Sequence, residues 1–181
     1  MSSRDNSPPR DGKPPGLVYA EEFITEAEET ALLKEINRQP WSNELSRRVQ
    51  HYGYKYEYRT RTLGPPIAPI PEWATPLLER ANFPAQQLII NEYTPGQGIG
   101  THTDSAVFSS PILCISLGSP CTMIFRRWAG RTHVAQLARR SLVVMDGECR
   151  WKWTHEIPGR THDNLVPRGT RVSLTFRRIK T

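Results

Sequence analysis

No stretch of the 181 residues approaches the ~18 consecutive apolar positions of a membrane-crossing helix, which excludes a helical span. Cysteine is scarce: Cys114, Cys121 and Cys149 are an odd number and lack CxxC spacing. That argues against a disulfide framework and a thiolate zinc site. Cys114 lies in an apolar run and reads as a core thiol. The first residues contain no apolar signal-peptide region. With the reduced thiols, this sets the expectation of an intracellular protein, cytoplasmic or nuclear. No internal repeat is apparent, and 16 prolines leave little room for long unbroken helices.

What is present fits a monomeric globular chain. Hydrophobic residues make up 37% and charged residues 23%, ordinary values for a domain of this length with its own core. The net charge of +6 favours a polyanionic partner such as DNA or RNA. Charge alone is equally compatible with a basic surface that binds nothing.

Residues 1–16 (MSSRDNSPPRDGKPPG) have almost no large apolar groups and read as a disordered tail. Residues 17–181 read as one domain. GLVYAEEFI predicts a short entry strand. Thr25 and Glu28 then form a T-x-x-E capping box, and Ala27, Ala31, Leu32, Leu33 and Ile36 make a helical stripe ending at Pro40. In residues 41–71, Tyr52, Tyr54, Tyr56 and Tyr58 recur at period two, which places four rings on one face of a strand. That face either packs on the core or stacks bases, with Arg47, Arg48, Lys55, Arg59 and Arg61 nearby for phosphates. GPPIAPIP reads as a rigid connection without a ladder, and PEWATPLLERAN as a second short helix. From Gln86 onward the runs QLIINEY, ILCISLG, CTMIFRR, SLVVMDG, ECRWKWTHEI and TRVSLTFRR predict short strands, hence a double-sheet jelly roll spanning about 86–180.

The chemistry concentrates in NEYTPGQGIGTHTD, residues 91–104. His102 and Asp104 are two apart and project to the same side of an extended chain. His155 is the best third ligand. Two imidazoles and a carboxylate with open positions suit non-haem Fe(II) and O2. Asn91 and Tyr93 share a face by the same rule, as do Trp151, Trp153 and His155 if their segment is a strand. In the last strand Arg171, Ser173, Thr175 and Arg177 alternate with Val172, Leu174 and Phe176. Two arginines six apart are separated by ~20 Å on an ideal strand. Either the strand is an ordinary amphipathic one with its polar face in water, or one arginine would grip the far carboxylate of a dicarboxylate and the other would lie towards the metal or the mouth.

Together, HxD with a distant His, NxY upstream and RxxxxxR at the end resemble the AlkB family of Fe(II)/2-oxoglutarate dioxygenases. SLGSP and RRSLVVMDGECRWKWTHEI add to the likeness, which covers residues 47–178 in order. The resemblance implies a mainly β protein with flanking helices: a double-stranded β-helix core and an N-terminal nucleotide-recognition lid at about 41–71. It implies Fe(II) held by His102, Asp104 and His155, with 2-oxoglutarate as co-substrate and O2 as oxidant. Asn91 and Tyr93 would bind 2-oxoglutarate with Glu92 lining the strand, Arg171 would pair with its distal carboxylate, Ser173 would share that wall and Arg177 would support the metal. Tyr52, Tyr54, Tyr56 and Arg131 are candidate substrate contacts, and Arg126, Arg127, Arg139 and Arg140 further phosphate contacts. The implied reaction is oxidative demethylation of N-alkylated bases in DNA or RNA, of the 1-methyladenine and 3-methylcytosine type. A tRNA-base hydroxylase and a protein or small-molecule oxygenase are the competing readings. One departure bears on the base: Ser105-Ala106-Val107-Phe108 offers no acidic reader after HxD.

Overall fold

The computed structural model describes residues 12–57, 60, 62–127 and 130–180. Residues 1–11 of the expected tail, and Tyr58, Arg59 and Arg61, lie outside that set. In chain order the elements begin with β1 (Leu17–Ala20), α1 (Glu26–Arg38), β2 (Val49–Tyr52), β3 (Tyr54–Glu57), β4 (Thr62–Pro66) and α2 (Thr75–Arg80). The core strands follow as β5 (Gln87–Tyr93), β6 (Ile99–His102), β7 (Ile112–Gly118), β8 (Cys121–Arg127), β9 (Arg131–Leu137) and β10 (Leu142–Met145). The last elements are α3 (Gly147–Lys152), β11 (Trp153–Ile157), β12 (His162–Asp163), β13 (Val166–Pro167) and β14 (Arg171–Arg177).

A six-stranded antiparallel sheet has the order β1-β10-β7-β14-β5-β2, and a four-stranded one the order β6-β11-β8-β9. This is the expected jelly roll. Two apolar clusters follow from period-two alternation. Leu88, Ile90, Leu113, Ile115, Leu117, Val172, Leu174 and Phe176 pack with Leu32 and Ile36 of α1 and Leu77 of α2 on the outer face of the large sheet. Cys114, Met123, Phe125, Val143, Trp153 and Ile157 belong to a second cluster, drawn from both sheets and lying between them. Burying each large side chain of this kind stabilises by ~1.5–3 kcal/mol.

The capping box forms: the Thr25 amide donates to Glu28 Oε2 at 2.7 Å, and the Glu28 amide donates to Thr25 Oγ1 at 3.2 Å. The buried stripe of α1 differs from the predicted one. It is Glu29, Leu32 and Ile36, while Ala27 and Ala31 are exposed. Glu29 is a carboxylate sunk in that stripe. It accepts the Gly118 amide at 2.7 Å and Arg139 Nε at 2.9 Å, which fastens the helix to the end of β7.

Three local readings are corrected. Gly53 has φ +80°, and a Cβ there would lie 1.9 Å from the Gln86 carbonyl oxygen, so only glycine fits. The bend splits the tyrosine run into β2, which joins the large sheet, and β3, which pairs with β4. Tyr52 consequently packs on the helical side, edge-on to Trp73, while Tyr56 faces the space between the sheets. Gly64, Pro65 and Pro66 are not a free connection but part of β4, with Tyr54 opposite Pro66. Prolines are tolerated there because this two-stranded sheet is all edge. Finally, Asp146 caps a helix over Gly147–Lys152, its side chain accepting the Gly147 amide at 2.8 Å. Trp151 therefore sits on α3, not on the strand of Trp153 and His155. Among the described residues no helix is long and apolar enough to cross a membrane.

Candidate active site

The segment after β6 and the inner face of β14 meet at one end of the sandwich, around a cavity of about 1060 Å³. His102 is the last residue of β6 and lies directly opposite His155 of β11. Antiparallel pairing thus brings together two imidazoles that are 53 positions apart in the chain, with ring centroids 4.4 Å apart. Asp104 lies just beyond the strand, its Oδ2 3.6 Å from His155 Nε2. One ligand atom from each of the three lies within 4.8 Å of the others. His102 Nδ1 is 2.8 Å from the Gly100 carbonyl. With Nδ1–H donating to that oxygen, Nε2 is left as the ligating atom.

The surroundings keep Asp104 and His155 in ligand-competent states. Burial alone would raise the Asp104 pKa, but Arg177, His155, His102 and Arg150 hold it down to about 2. Burial lowers His155 to about 4 against the pull of Asp104, which leaves a neutral imidazole at neutral pH. Arg177 donates from β14 to Asp104 Oδ1, and also to Gln87 Oε1 at 3.0 Å. Arg150, only 3% exposed, clamps the segment after Asp104. It donates to the carbonyls of Asp104 at 3.1 Å, Ser105 at 2.7 Å and Phe108 at 2.9 Å.

The large sheet supplies the opposite wall. Arg171 faces Tyr93 across the β14–β5 pairing, and Ser173 faces Asn91. All four line the cavity. The Arg171 guanidinium is 3% exposed and donates to Ser116 Oγ at 2.9 Å, yet its Nε and Nη1 have no hydrogen-bond partner among the described residues. A buried cation with idle donors, on a residue that lines a cavity, fits a carboxylate ligand. Arg47 and Arg171 both lie over the Tyr93 ring, each guanidinium 5.5 Å from its centroid. Burial pushes its phenol up despite both cations, so it remains a donor at neutral pH. Asn91 Oδ1 accepts Arg47 Nε at 2.8 Å.

Several predicted site residues are elsewhere. Glu92 alternates to the other face, where Arg48 grips it at 2.6 and 2.7 Å. Tyr56 lines the cavity; Tyr52 and Tyr54 do not. Arg131 is exposed at the start of β9 and is not part of the cavity wall. Of the other proposed phosphate contacts, Arg126 pairs with Glu156, Arg127 with Glu148, Arg139 with Glu29 and Arg140 with Glu22. Arg47 and Arg48 are likewise engaged on β5, and Lys55 pairs with Glu44 at 3.1 Å. Arg150 was not anticipated, because its segment reads as a strand in which an arginine would simply alternate outward.

Two imidazoles and one carboxylate could hold a divalent metal, and the guanidinium on the same cavity wall suits an anion. The family model described as the 2OG-Fe(II) oxygenase superfamily matches residues 21–177, and the chain belongs to that superfamily. Its similarities lie with the AlkB branch, whose enzymes use Fe(II), 2-oxoglutarate and O2. The mouse tRNA (carboxymethyluridine(34)-5-O)-methyltransferase ALKBH8 is 35% identical over 92% of this chain and 31% of its own length. The Arabidopsis thaliana alkylated DNA repair protein ALKBH8 homolog is 33% identical over 92% of this chain and 59% of its own. The chain therefore spans about a third and three-fifths of these two relatives. The solved structure of OsALKBH1 superposes with a TM-score of 0.72 at 16% identity, covering 92% of this chain and 97% of that one, a likeness of fold.

Proposed function

We propose that this chain oxidises an alkyl substituent on a nucleic-acid base, with oxidative removal of an N-methyl group as the leading reaction. The observation that carries it is the pairing, across one cavity, of the His102–Asp104–His155 cluster with the under-bonded guanidinium of Arg171. His102, Asp104 and His155 would hold Fe(II). Arg171 would take the distal carboxylate of 2-oxoglutarate, with Tyr93 and Asn91 on the same wall. When bound, iron with 2-oxoglutarate and O2 delivers one oxygen atom to a substrate C–H bond as the keto acid becomes succinate and CO2.

The chain's own residues do the rest. Arg177 fixes the orientation of Asp104, and Arg150 fixes the backbone beyond it. A hydroxylated N-methyl carbon is a hemiaminal, which collapses to the free base and formaldehyde. The target base must leave its stack to reach this depth. Tyr56 of β3 lines the cavity, which supports reading this segment as a lid over the base.

A second reading has two specific observations behind it. Asp104 is the only acid among the described residues lining a cavity that carries Arg47, Arg150, Arg171 and Arg177. With Arg177 offset by Asp104 and Arg171 by the co-substrate carboxylate, Arg47 and Arg150 still leave the wall positive, which disfavours cationic 1-methyladenine or 3-methylcytosine and favours a neutral base. The mouse relative is named for carboxymethyluridine 34 of tRNA. Hydroxylation at a carbon-linked substituent of a tRNA uridine would leave a stable alcohol. One experiment tests both: mass spectrometry of methylated DNA and RNA oligonucleotides and bulk tRNA after incubation with Fe(II), ascorbate and 2-oxoglutarate. N-Demethylation removes 14 mass units, roughly one CH2, and hydroxylation adds about 16, one oxygen. No change in any nucleic acid, while 2-oxoglutarate turns over, rejects both.

A further inference from the structure

Trp151 is not used by the chemistry above, yet it is built into the cavity. It lines the wall from the mouth and is 45% exposed, although most large apolar side chains of the chain are buried. One face of its ring is taken: the Arg150 guanidinium carbon lies 4.1 Å from the centroid. Arg150 is itself immobilised by three backbone carbonyls on the segment that follows Asp104. The indole is therefore held by a fixed cation at a set height above the metal-ligand loop. Alternative rotamers would lose the cation–π contact. Thr101, Thr103 and Thr154 line the same cavity with small side chains.

We infer that Trp151 is a stacking surface for a nucleobase at the cavity mouth. This rests on the proposed action on nucleic acid and adds a substrate-binding residue to it. An apolar ring half in water costs free energy, which a stacked base would relieve by covering the open face. Aromatic stacking is sequence-tolerant because every base has a π-face. The site would therefore read the presence of a base, in the target nucleotide or its neighbour, rather than its identity. Arg150 supplies the far side of a guanidinium–indole–base stack. Neither Tyr52 nor Tyr54, which the sequence suggested for this task, reaches the cavity.

The test compares two single-stranded oligonucleotides of equal length and charge, one carrying 2-aminopurine and one an abasic site at the same position. Wild-type protein with metal and 2-oxoglutarate, kept anaerobic, should bind the 2-aminopurine strand more tightly and quench its fluorescence. W151L keeps bulk without a π-face and should lose about 5- to 150-fold in affinity for that strand, with little change for the abasic one. W151F should retain most of the preference, and circular dichroism checks that both variants are folded. A wild-type preference for the 2-aminopurine strand that persists in W151L overturns the stacking role while leaving the nucleic-acid reading intact. Equal wild-type affinity for both strands also overturns it. If wild type binds neither strand, nor bulk tRNA, both the stacking role and the nucleic-acid reading fall.

Discussion

Arg177 of β14 donates to Oδ1 of Asp104, a residue 73 positions earlier in the chain, and leaves Oδ2 turned towards His155. One guanidinium therefore decides which oxygen of the carboxylate faces the other metal ligands. A carboxylate held this way loses its rotational freedom before a metal arrives, which favours binding.

The first prediction follows directly. R177Q removes the charge but keeps hydrogen-bonding capacity, and it should weaken Fe(II) affinity by about 10- to 100-fold, the range for partners that orient a ligand. Anaerobic calorimetric titration measures it. Unchanged affinity would mean that Asp104 is oriented by something else.

Arg171 gives a prediction with opposite signs in two assays. Its idle Nε and Nη1 are a burden in the metal-free, co-substrate-free protein. R171M should leave unfolding stability level or raise it, yet should increase the 2-oxoglutarate requirement by about 30-fold or more. Iron affinity should move far less. Thermal shifts with and without 2-oxoglutarate, combined with steady-state turnover, separate the two effects. Equal 2-oxoglutarate requirements in variant and wild type would remove Arg171 from the co-substrate site.

Asp163 offers a pH test away from the active site. Burial would raise its pKa, but Arg168, the Thr122 amide and Arg160 overrule it and hold the carboxyl well below its usual range. A carboxylate whose folded pKa is depressed contributes stability above its unfolded value, and that stability fades as pH falls towards the folded one. D163N should cost about 3–5 kcal/mol at pH 7, because Arg168 is 8% exposed and would be left unpaired. The gap between wild type and variant should narrow once the pH drops below 3.8, the ordinary value for this group. Urea unfolding at pH 7 and pH 3 reads both. A gap that does not change with pH would mean that the Asp163 carboxyl is not shifted in the folded protein, and no gap at pH 7 would mean the pair is energetically silent.

Tyr56 is the tyrosine to change, not Tyr54. Its ring lies 5.6 Å from that of Phe108, which in turn packs under Arg177 at 4.9 Å. Y56A should impair turnover of nucleic-acid substrate, whereas Y54A should have little effect. Kinetics of both variants on one oligonucleotide decide it, and the reverse order would mean that the hairpin moves when substrate binds.

Much of this protein was legible in one dimension because local spacing has local consequences. The capping box ends where a Thr and a Glu three apart say it does. His-x-Asp puts two ligands on one side of an extended chain. Alternation in β14 separates Arg171, Ser173, Thr175 and Arg177 from Val172, Leu174 and Phe176. Alternation does not say which face turns inward, and an isolated strand with four polar residues would turn them to water. Only packing of the apolar set against α1 and α2 forces the arginines into the sandwich.

Other outcomes belonged wholly to the tertiary structure. Gly53 takes a positive φ because the Gln86 carbonyl crosses close to it, and that one bend scatters a row of tyrosines that period two had aligned. Glu92 sits between two site residues yet faces Arg48, since β5 is buried on both sides. The basic charge looked like a reservoir of phosphate contacts, but Arg126, Arg127, Arg139 and Arg140 are engaged by acids distant in the chain. Sequence determines which groups a strand or turn can present. Their partners are set by long-range packing and by the free-energy cost of leaving a charge buried alone.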